Sequence, residues 1–350
     1  MALVERKGSG SSHDAGAVMA PLAFPTQRPE QYQPLPDEPR FEAGRHLALE
    51  LPERTWTLAD FGYDQTEIAA APSAVAVSSP FRLLSEEGVA AFRSVALQLR
   101  ASRRTSDRTA SYVAGSVYRS RFMRDFCNAP EVTAHMSRIA GCALLAHSMP
   151  SQQAYINYAP DDIAKAVDTW HTDGIGLDYV LMLSDPRALE GGLFQFFEGT
   201  RTEAARFLET RVEGLVEANA RDLPAERISS VHFPAAGYAI FQQGSHVVHR
   251  ATALTRRGER ITVVPGLVAA AVASADPTRD SVAGWGEPGI EAEFARHKAW
   301  LARGKLDGLI AELGEGQAPR DLAAALRAAI VDVEKAAAAL DALKLQRCSN

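Results

Sequence analysis

The chain has 350 residues, of which 46% are hydrophobic and 23% charged, a balance that excludes a disordered or fibrous protein and supplies enough apolar residues for a sizeable core. With 37 Lys and Arg against 43 Asp and Glu the formal net charge is -6, and no long basic run offers a footprint for a phosphate backbone, so nucleic acid is not an expected partner. No window approaches the ~18 apolar residues of a membrane span, and residues 1–16 carry Gly-Ser-Gly-Ser-Ser where a secretory leader needs an apolar stretch, so the expected location is the cytoplasm.

Residues 1–40 continue with Pro21, Pro25, Pro29, Pro34, Pro36 and Pro39, a density that prevents helix and leaves little to bury; a flexible or surface-draped arm is expected. Ser85 is placed to cap a helix with Val89, Phe92, Val95, Ala96 and Leu99 on one face. A second helix runs from Pro130 through Val132, Met136 and Ile139 to Gly141. From there the pattern changes to short apolar runs bounded by turn residues, read as strands at 143–146, 153–158, 179–183, 193–197, 230–232, 238–242, 247–249 and 260–264. Crossover helices are missing between most of them, which favours an antiparallel barrel or two-sheet sandwich over a βαβ array, a mainly β core with helices in the α+β class. Residues 201–220, with Ala204, Phe207, Leu208, Val212 and Leu215 at helical offsets, read as an inserted helix over one mouth of the barrel. After Pro277 two helices are expected, Ile290 to about Leu313 and Leu322 to about Leu345. The stripe Leu322, Leu326, Ile330, Val333, Ala337 and Leu340 on the second either packs on the chain's own barrel, the commoner use of such a face, or makes a homo-oligomer contact. The chain thus divides into an arm (1–40), a β domain with N-terminal helices (41–275) and a helical extension (276–350). Cys127, Cys142 and Cys348 are odd in number and lack zinc-site spacing, so they read as packed thiols in a reducing compartment.

The informative residues are Trp170-His171-Thr172-Asp173-Gly174, then Gly244-Ser-His-Val-Val-His249-Arg250, then Gly258-Glu-Arg260-Ile-Thr262. On a strand, His171 and Asp173 leave the same face and converge on one ion, and a distal histidine completes the set. Two imidazoles and one carboxylate on one face of an octahedron leave three open positions, the arrangement suited to non-haem Fe(II) that binds a cosubstrate and dioxygen together. His249 is preferred over His246 as the distal ligand, because on a strand the two face opposite sides and Arg260 lies 11 positions past the former and 14 past the latter. His147 and His232 have no acidic partner at ligand spacing and read as structural. Arg260 can pair bidentately with a carboxylate, and Thr262 shares its face and can donate a hydroxyl bond. The plain alternative for Arg260 is a surface salt bridge.

In this combination the chain resembles the iron(II)- and 2-oxoglutarate-dependent dioxygenases, in particular their phytanoyl-CoA-dioxygenase-like branch, over residues 81–265. Leu84-Ser-Glu-Glu-Gly, Tyr158-Ala-Pro and Gly191-Gly-Leu-Phe-Gln-Phe-Phe-Glu-Gly199 carry the resemblance beside the metal motif. It implies a double-stranded β-helix (jelly-roll, cupin-like) barrel flanked by helices, with Fe(II) on His171, Asp173 and His249. It also implies 2-oxoglutarate with its distal carboxylate on Arg260 and Thr262, Tyr158 and Asn157 in contact with that cosubstrate, and O2 as oxidant. The implied reaction is hydroxylation of an unactivated C–H bond of a small molecule with release of succinate and CO2; Asp173 stands where halogenases of the family carry a small residue. The chain departs from the family in having Gly199-Thr-Arg before the insertion in place of Gly-Ser-His, so its substrate loop is its own. Trp170, Gln195 and Phe197 are the expected substrate wall, with core packing an equal alternative for Trp170 and Phe197. Two rival readings stand beside this one: a cupin-like metal-binding isomerase or non-catalytic binding protein, in which Arg260 has no cosubstrate to hold, and an interaction protein working through its C-terminal helices.

Overall fold

Two antiparallel sheets form the centre of the computed structural model, which describes residues 18–219, 221–271, 274–314 and 317–348, with side chains described as far as Leu343. Residues 1–16, read above for a leader, and the side chain of Cys348 lie outside the described residues. In chain order the strands are β1 Thr55–Thr57, β2 Val75–Ser78, β3 Phe81–Arg82, β4 Tyr112–Val113, β5 Leu144–Ala146, β6 Tyr155–Tyr158, β7 Ala166–His171, β8 Leu177–Met182, β9 Phe194–Phe197, β10 Ile228–Val231, β11 Tyr238–Gln242, β12 His249–Ala253, β13 Ile261–Val264 and β14 Gly266–Ala269. The helices are α1 Ala43–His46, α2 Gln65–Ala70, α3 Glu86–Leu99, α4 Ser116–Arg119, α5 Arg121–Cys127, α6 Pro130–Ala140, α7 Arg201–Phe207, α8 Ile290–Glu312 and α9 Pro319–Cys348. The larger sheet runs β1-β2-β11-β8-β13-β6-β4, with β3 added on β11 and β14 linking β8 to β5; the smaller runs β10-β9-β12-β7.

Strand periodicity places every side chain of the site. In the larger sheet Leu177, Tyr179 and Leu181 of β8, Ile156 and Tyr158 of β6, Ile261 and Val263 of β13, and Ala239 and Phe241 of β11 pack against Phe92, Phe122, Phe126, Val132 and Met136 of the N-terminal helices. The alternate residues, Val180 and Met182 of β8 and Ile240 of β11, meet Phe194 and Phe196 of the smaller sheet in a second core. β8 is therefore buried along its whole length, and its one acid, Asp178, faces the space between the sheets. The helices that cover the outer face are built as the sequence suggests: Ser85 Oγ accepts the Gly88 N–H at 3.0 Å at the start of α3, and Gly141, in the left-handed region at φ 70, ends α6.

Three expectations are corrected. The strand expected at 247–249 begins only at His249, because Gly244-Ser-His forms a turn before it. The insertion is not one helix over 201–220: α7 stops at Phe207, Glu209 turns the backbone with φ 52, and Val212–Val216 continues as a tight 3-10 turn. On α9, Ala329 and Ala336 are buried and Leu340 packs with Met149 and Phe294, whereas Leu326 is 51% exposed and Ile330 and Val333 are 38% exposed, so the middle of the apolar stripe does not pack on the chain's own barrel. The small side chains of Ala329 and Ala336 are covered, and Leu340 and Leu343 pack beside Ile290 and Phe294. The arm is draped from residue 18 onward: Met19 N–H donates to Ala270 O at 2.8 Å and Tyr32 stacks on Tyr118. No helix among the described residues is long and apolar enough to cross a membrane.

Candidate metal centre

His171 ends β7 and His249 begins β12, and the two are direct cross-strand partners. A β-bulge lies beside them, three residues of β7 spanning the same register as two of β12, so Asp168 and His171 both reach the inner side although they are an odd number of positions apart. Asp173 lies beyond the end of β7 rather than on it, which corrects the expectation that strand alternation alone would align it with His171. Its backbone N–H donates to Gly244 O at 2.8 Å, and this bond to the turn before β12 swings the carboxylate back between the rings.

Both imidazoles are oriented by their own backbones. His171 Nδ1 lies 2.6 Å from Thr169 O and His249 Nδ1 2.9 Å from Val247 O, so each Nδ1–H donates to a carbonyl and each Nε2 lone pair is turned inward. His171 Nε2 is 3.5 Å from Asp173 Oδ1 and His249 Nε2 is 3.3 Å from Asp173 Oδ2. The three ligand atoms lie within 4.8 Å of one another, the spacing of donors around one ion. Burial alone would raise the Asp173 pKa, but His249 and His171 hold it below the usual carboxylate range, so it is anionic and available as a ligand. Burial, with His171 beside it, pushes His249 down to about 4, so its ring is neutral at physiological pH.

A second layer supports these groups. Gln242 Nε2 donates to Asp178 Oδ1 at 2.9 Å and lies 3.4 Å from Asp173 Oδ2 and 3.3 Å from His249 Nε2. Asp178 is buried beside Asp173, and desolvation followed by that neighbouring charge raises its pKa well above the usual range, so it stays neutral. Gly244 is demanded here: a Cβ at this position would sit 2.2 Å from Asp173 Oδ2 and 2.4 Å from Asp178 Oδ2.

The centre opens on a cavity of about 530 Å³ between the sheets, lined on the larger-sheet side by Asn157, Val180, Arg260 and Thr262. Arg260, just before β13, is 2% exposed; its Nε donates to Gly192 O at 2.7 Å and its Nη1 lies 3.4 Å from Thr262 Oγ1. Gly192, at φ 63, lies so close that a Cβ would meet Arg260 Cδ at 2.8 Å. No carboxylate among the described residues forms an ion pair with Arg260, which removes the surface salt bridge as its explanation; burial pushes its pKa down to about 10, still charged at neutral pH.

The remaining sequence candidates separate by strand parity. Asn157 faces the cavity, but Tyr158 points the other way, into the helical core, and donates to Ala96 O at 2.7 Å, so it does not reach a cosubstrate in this cavity. Trp170, Gln195 and Phe197 lie on the outer face of the smaller sheet and do not line the cavity: Trp170 donates to Asp222, Gln195 accepts from Arg250 Nε at 2.8 Å, and Phe197 packs with Trp170 under α7. The inward residue of β9 at the cavity is Phe194. His246 turns away and meets Ser245 and Tyr63. Sequence reasoning missed Arg108, Asp168, Tyr155, Arg279, Trp285 and Glu287, all of which line the cavity. Most of these come from loops with no periodic signal, and the last three come from the stretch between β14 and α8.

No protein-family model and no curated protein matches the chain. Among solved structures it is similar to the non-haem alpha-ketoglutarate-dependent epimerase SnoN from nogalamycin biosynthesis, at 21% identity and a TM-score of 0.40 over 53% of this chain and 75% of that one. It is similar to the non-haem alpha-ketoglutarate-dependent carbocyclase SnoK from nogalamycin biosynthesis at 19% identity and a TM-score of 0.40, over 61% of this chain and 86% of that one. HygX from Streptomyces hygroscopicus, solved with nickel, 2-oxoglutarate and hygromycin B, matches at 14% identity and a TM-score of 0.37 over 58% of this chain and 84% of that one. At such TM-scores the functional reading rests on the geometry of the site itself.

Proposed function

We propose that the chain is a non-haem Fe(II)- and 2-oxoglutarate-dependent oxygenase that hydroxylates a C–H bond of a small molecule, with the two facing sheets as the halves of a double-stranded β-helix. The observation that carries this reading is the buried guanidinium of Arg260, with no acidic ion-pair partner among the described residues, in the same cavity as His171, Asp173 and His249. A buried cation without an acid costs several kcal/mol in effective desolvation, and this one is held in place by Gly192 O and faces a space that an incoming carboxylate can enter.

The residues fit both groups. Two imidazoles with Nε2 turned inward and one carboxylate form the two-histidine, one-carboxylate donor set that suits ferrous ion, and a cationic anchor beside a hydroxyl suits the far end of a dicarboxylate. When bound, iron and 2-oxoglutarate supply the oxidation, in which dioxygen and the cosubstrate are converted with the substrate to succinate, CO2 and a hydroxylated product. The chain's own contribution is placement. His171, Asp173 and His249 would hold the ion; Arg260 and Thr262 would orient the cosubstrate; Phe194, Val180 and Ile175 line the cavity with apolar surface and limit water.

The test is 2-oxoglutarate turnover. Wild type should release succinate from 2-oxoglutarate only with Fe(II) and oxygen present. Arg260→Ala should raise the 2-oxoglutarate requirement by roughly 30-fold or more, the equivalent of removing one partner of a buried charge pair. A metal-dependent activity that ignores 2-oxoglutarate and survives Arg260→Ala would instead favour a cupin-like isomerase.

A further inference from the structure

Most charges around the cavity are already committed. Arg108 lies 3.4 Å from Asp168 and Glu287 is 3.1 Å from Arg104, while Asp173 and Arg260 belong to the metal and cosubstrate positions. Arg279 is different. It comes from the stretch between β14 and α8, its backbone N–H donates to Gly174 O at 2.9 Å, and so its side chain lies on the lip one residue past Asp173. A Cβ on Gly174 would meet Arg279 Cδ at 3.0 Å and the Trp285 ring at 2.8 Å, so arginine and indole both close over the metal loop. The Arg279 guanidinium is 5.9 Å from the Trp285 ring centroid, and no carboxylate among the described residues forms an ion pair with it. Arg108 and Arg279 both line the cavity, and burial, together with the charge of Arg108 against the pull of Glu217, lowers the Arg279 pKa. Arg108 has Asp168 beside it, which leaves Arg279 as the cation at the lip with no ion-pair partner among the described residues, a charge that an anion entering the cavity would compensate.

We infer that this cavity takes an anionic substrate, with a carboxylate or phosphate held by Arg279 at the lip and its carbon frame laid against Trp285. The inference rests on the oxygenase reading for the word substrate, and on Arg279 and Trp285 alone for the binding site. A planar guanidinium suits either anion, and the indole supplies apolar area beside it.

The experiment is equilibrium dialysis of the protein loaded anaerobically with Fe(II) and saturating 2-oxoglutarate against 2-naphthoate, 1-naphthyl phosphate and 2-naphthamide, with the visible absorbance of the iron chelate recorded in the same samples. Wild type should bind at least one of the two anions at least tenfold more tightly than the amide, and the tighter anion identifies the group. Arg279→Gln should lose at least tenfold in anion affinity while its amide affinity and chelate absorbance stay as in wild type, and Arg279→Lys should recover part of the loss. Equal binding of anion and amide, no binding of any probe, anion affinity unchanged in Arg279→Gln, or loss of the chelate absorbance on adding the anion would each overturn the inference. If no chelate absorbance forms but anion binding still depends on Arg279, the oxygenase reading falls and the anion site stands; chelate absorbance without that dependence has the opposite meaning.

Discussion

Two buried clusters of histidine and aspartate among the described residues differ in how fully their polar atoms are satisfied, and one of them, His171, Asp173 and His249, has the spacing of donors around one ion. Beside the start of α8, His297 Nε2 and Lys298 Nζ both reach Asp276 Oδ2, at 2.9 and 2.8 Å, and His297 Nδ1 lies 2.5 Å from Ser148 Oγ. His147 completes this cluster, with Nδ1 accepting the Met149 N–H at 3.2 Å and Nε2 3.1 Å from Thr278 Oγ1. No buried side-chain polar atom in this cluster lacks a partner. Around the candidate metal centre the reverse holds: Asp178 Oδ2, Gln242 Oε1 and, across the cavity, Glu287 Oε2 are buried without a hydrogen-bond partner. A serine, a histidine and an aspartate in a row can suggest a nucleophile, yet that set ties the stretch before α8 to the strand region by mutual satisfaction. The set with unsatisfied atoms faces a cavity and has work left to do.

This contrast breaks if the two clusters respond alike. The largest effect is expected at the centre: Asp173→Ala should abolish stoichiometric Fe(II) binding measured anaerobically, with the thermal midpoint of the metal-free protein unchanged or raised, while His246→Ala keeps the metal. Asp276→Ala should do the opposite, leaving Fe(II) binding intact and costing about 3–5 kcal/mol in urea unfolding, because Lys298, 2% exposed, loses the partner of its buried charge.

Acid should expose the same cluster. Burial, with His297 and Lys298 nearby, pushes His147 down to about 3, whereas an unfolded histidine takes its proton near 6.5. Between those values the unfolded chain binds more protons, so this contribution is complete above pH ~6.5 and is lost as the pH falls towards ~3. Urea midpoints from pH 4 to 7 should show that slope in wild type and a shallower one in His147→Gln.

A smaller effect sharpens the picture of the second layer: Gln242→Ala and Gly244→Ala should each weaken Fe(II) binding by about 10–100-fold, as loss of a residue that orients ligands does. The smallest is expected on the outer face of the smaller sheet, where Gln195→Ala should leave Fe(II) and 2-oxoglutarate affinity unchanged.

What the sequence could disclose follows from how locally each feature is encoded. His171, Asp173, His249, Arg260 and Thr262 were legible because short spacings and a recurring order mark them, and the structure brings them to one cavity. Parity was not legible at β6, β7 and β9. Shifting a strand by one position exchanges its two faces, and both faces of these strands are covered, one by the opposite sheet and one by helices or α7, so apolar content cannot say which is inner. That is why Asn157 faces the cavity and Tyr158 does not, and why Trp170, Gln195 and Phe197 look outward. Arg108, Arg279 and Trp285 arise from loops, 63 positions before His171 in the first case and beyond β14 in the others, where only the folded chain sets the distance.

The most direct measurement is the visible spectrum after anaerobic addition of Fe(II) and then 2-oxoglutarate to the metal-free protein. A weak charge-transfer band should appear in proportion to iron in wild type and in His246→Ala, and should be absent in His171→Ala and His249→Ala. No band in wild type, or an unchanged band in His171→Ala, contradicts the assignment of the centre.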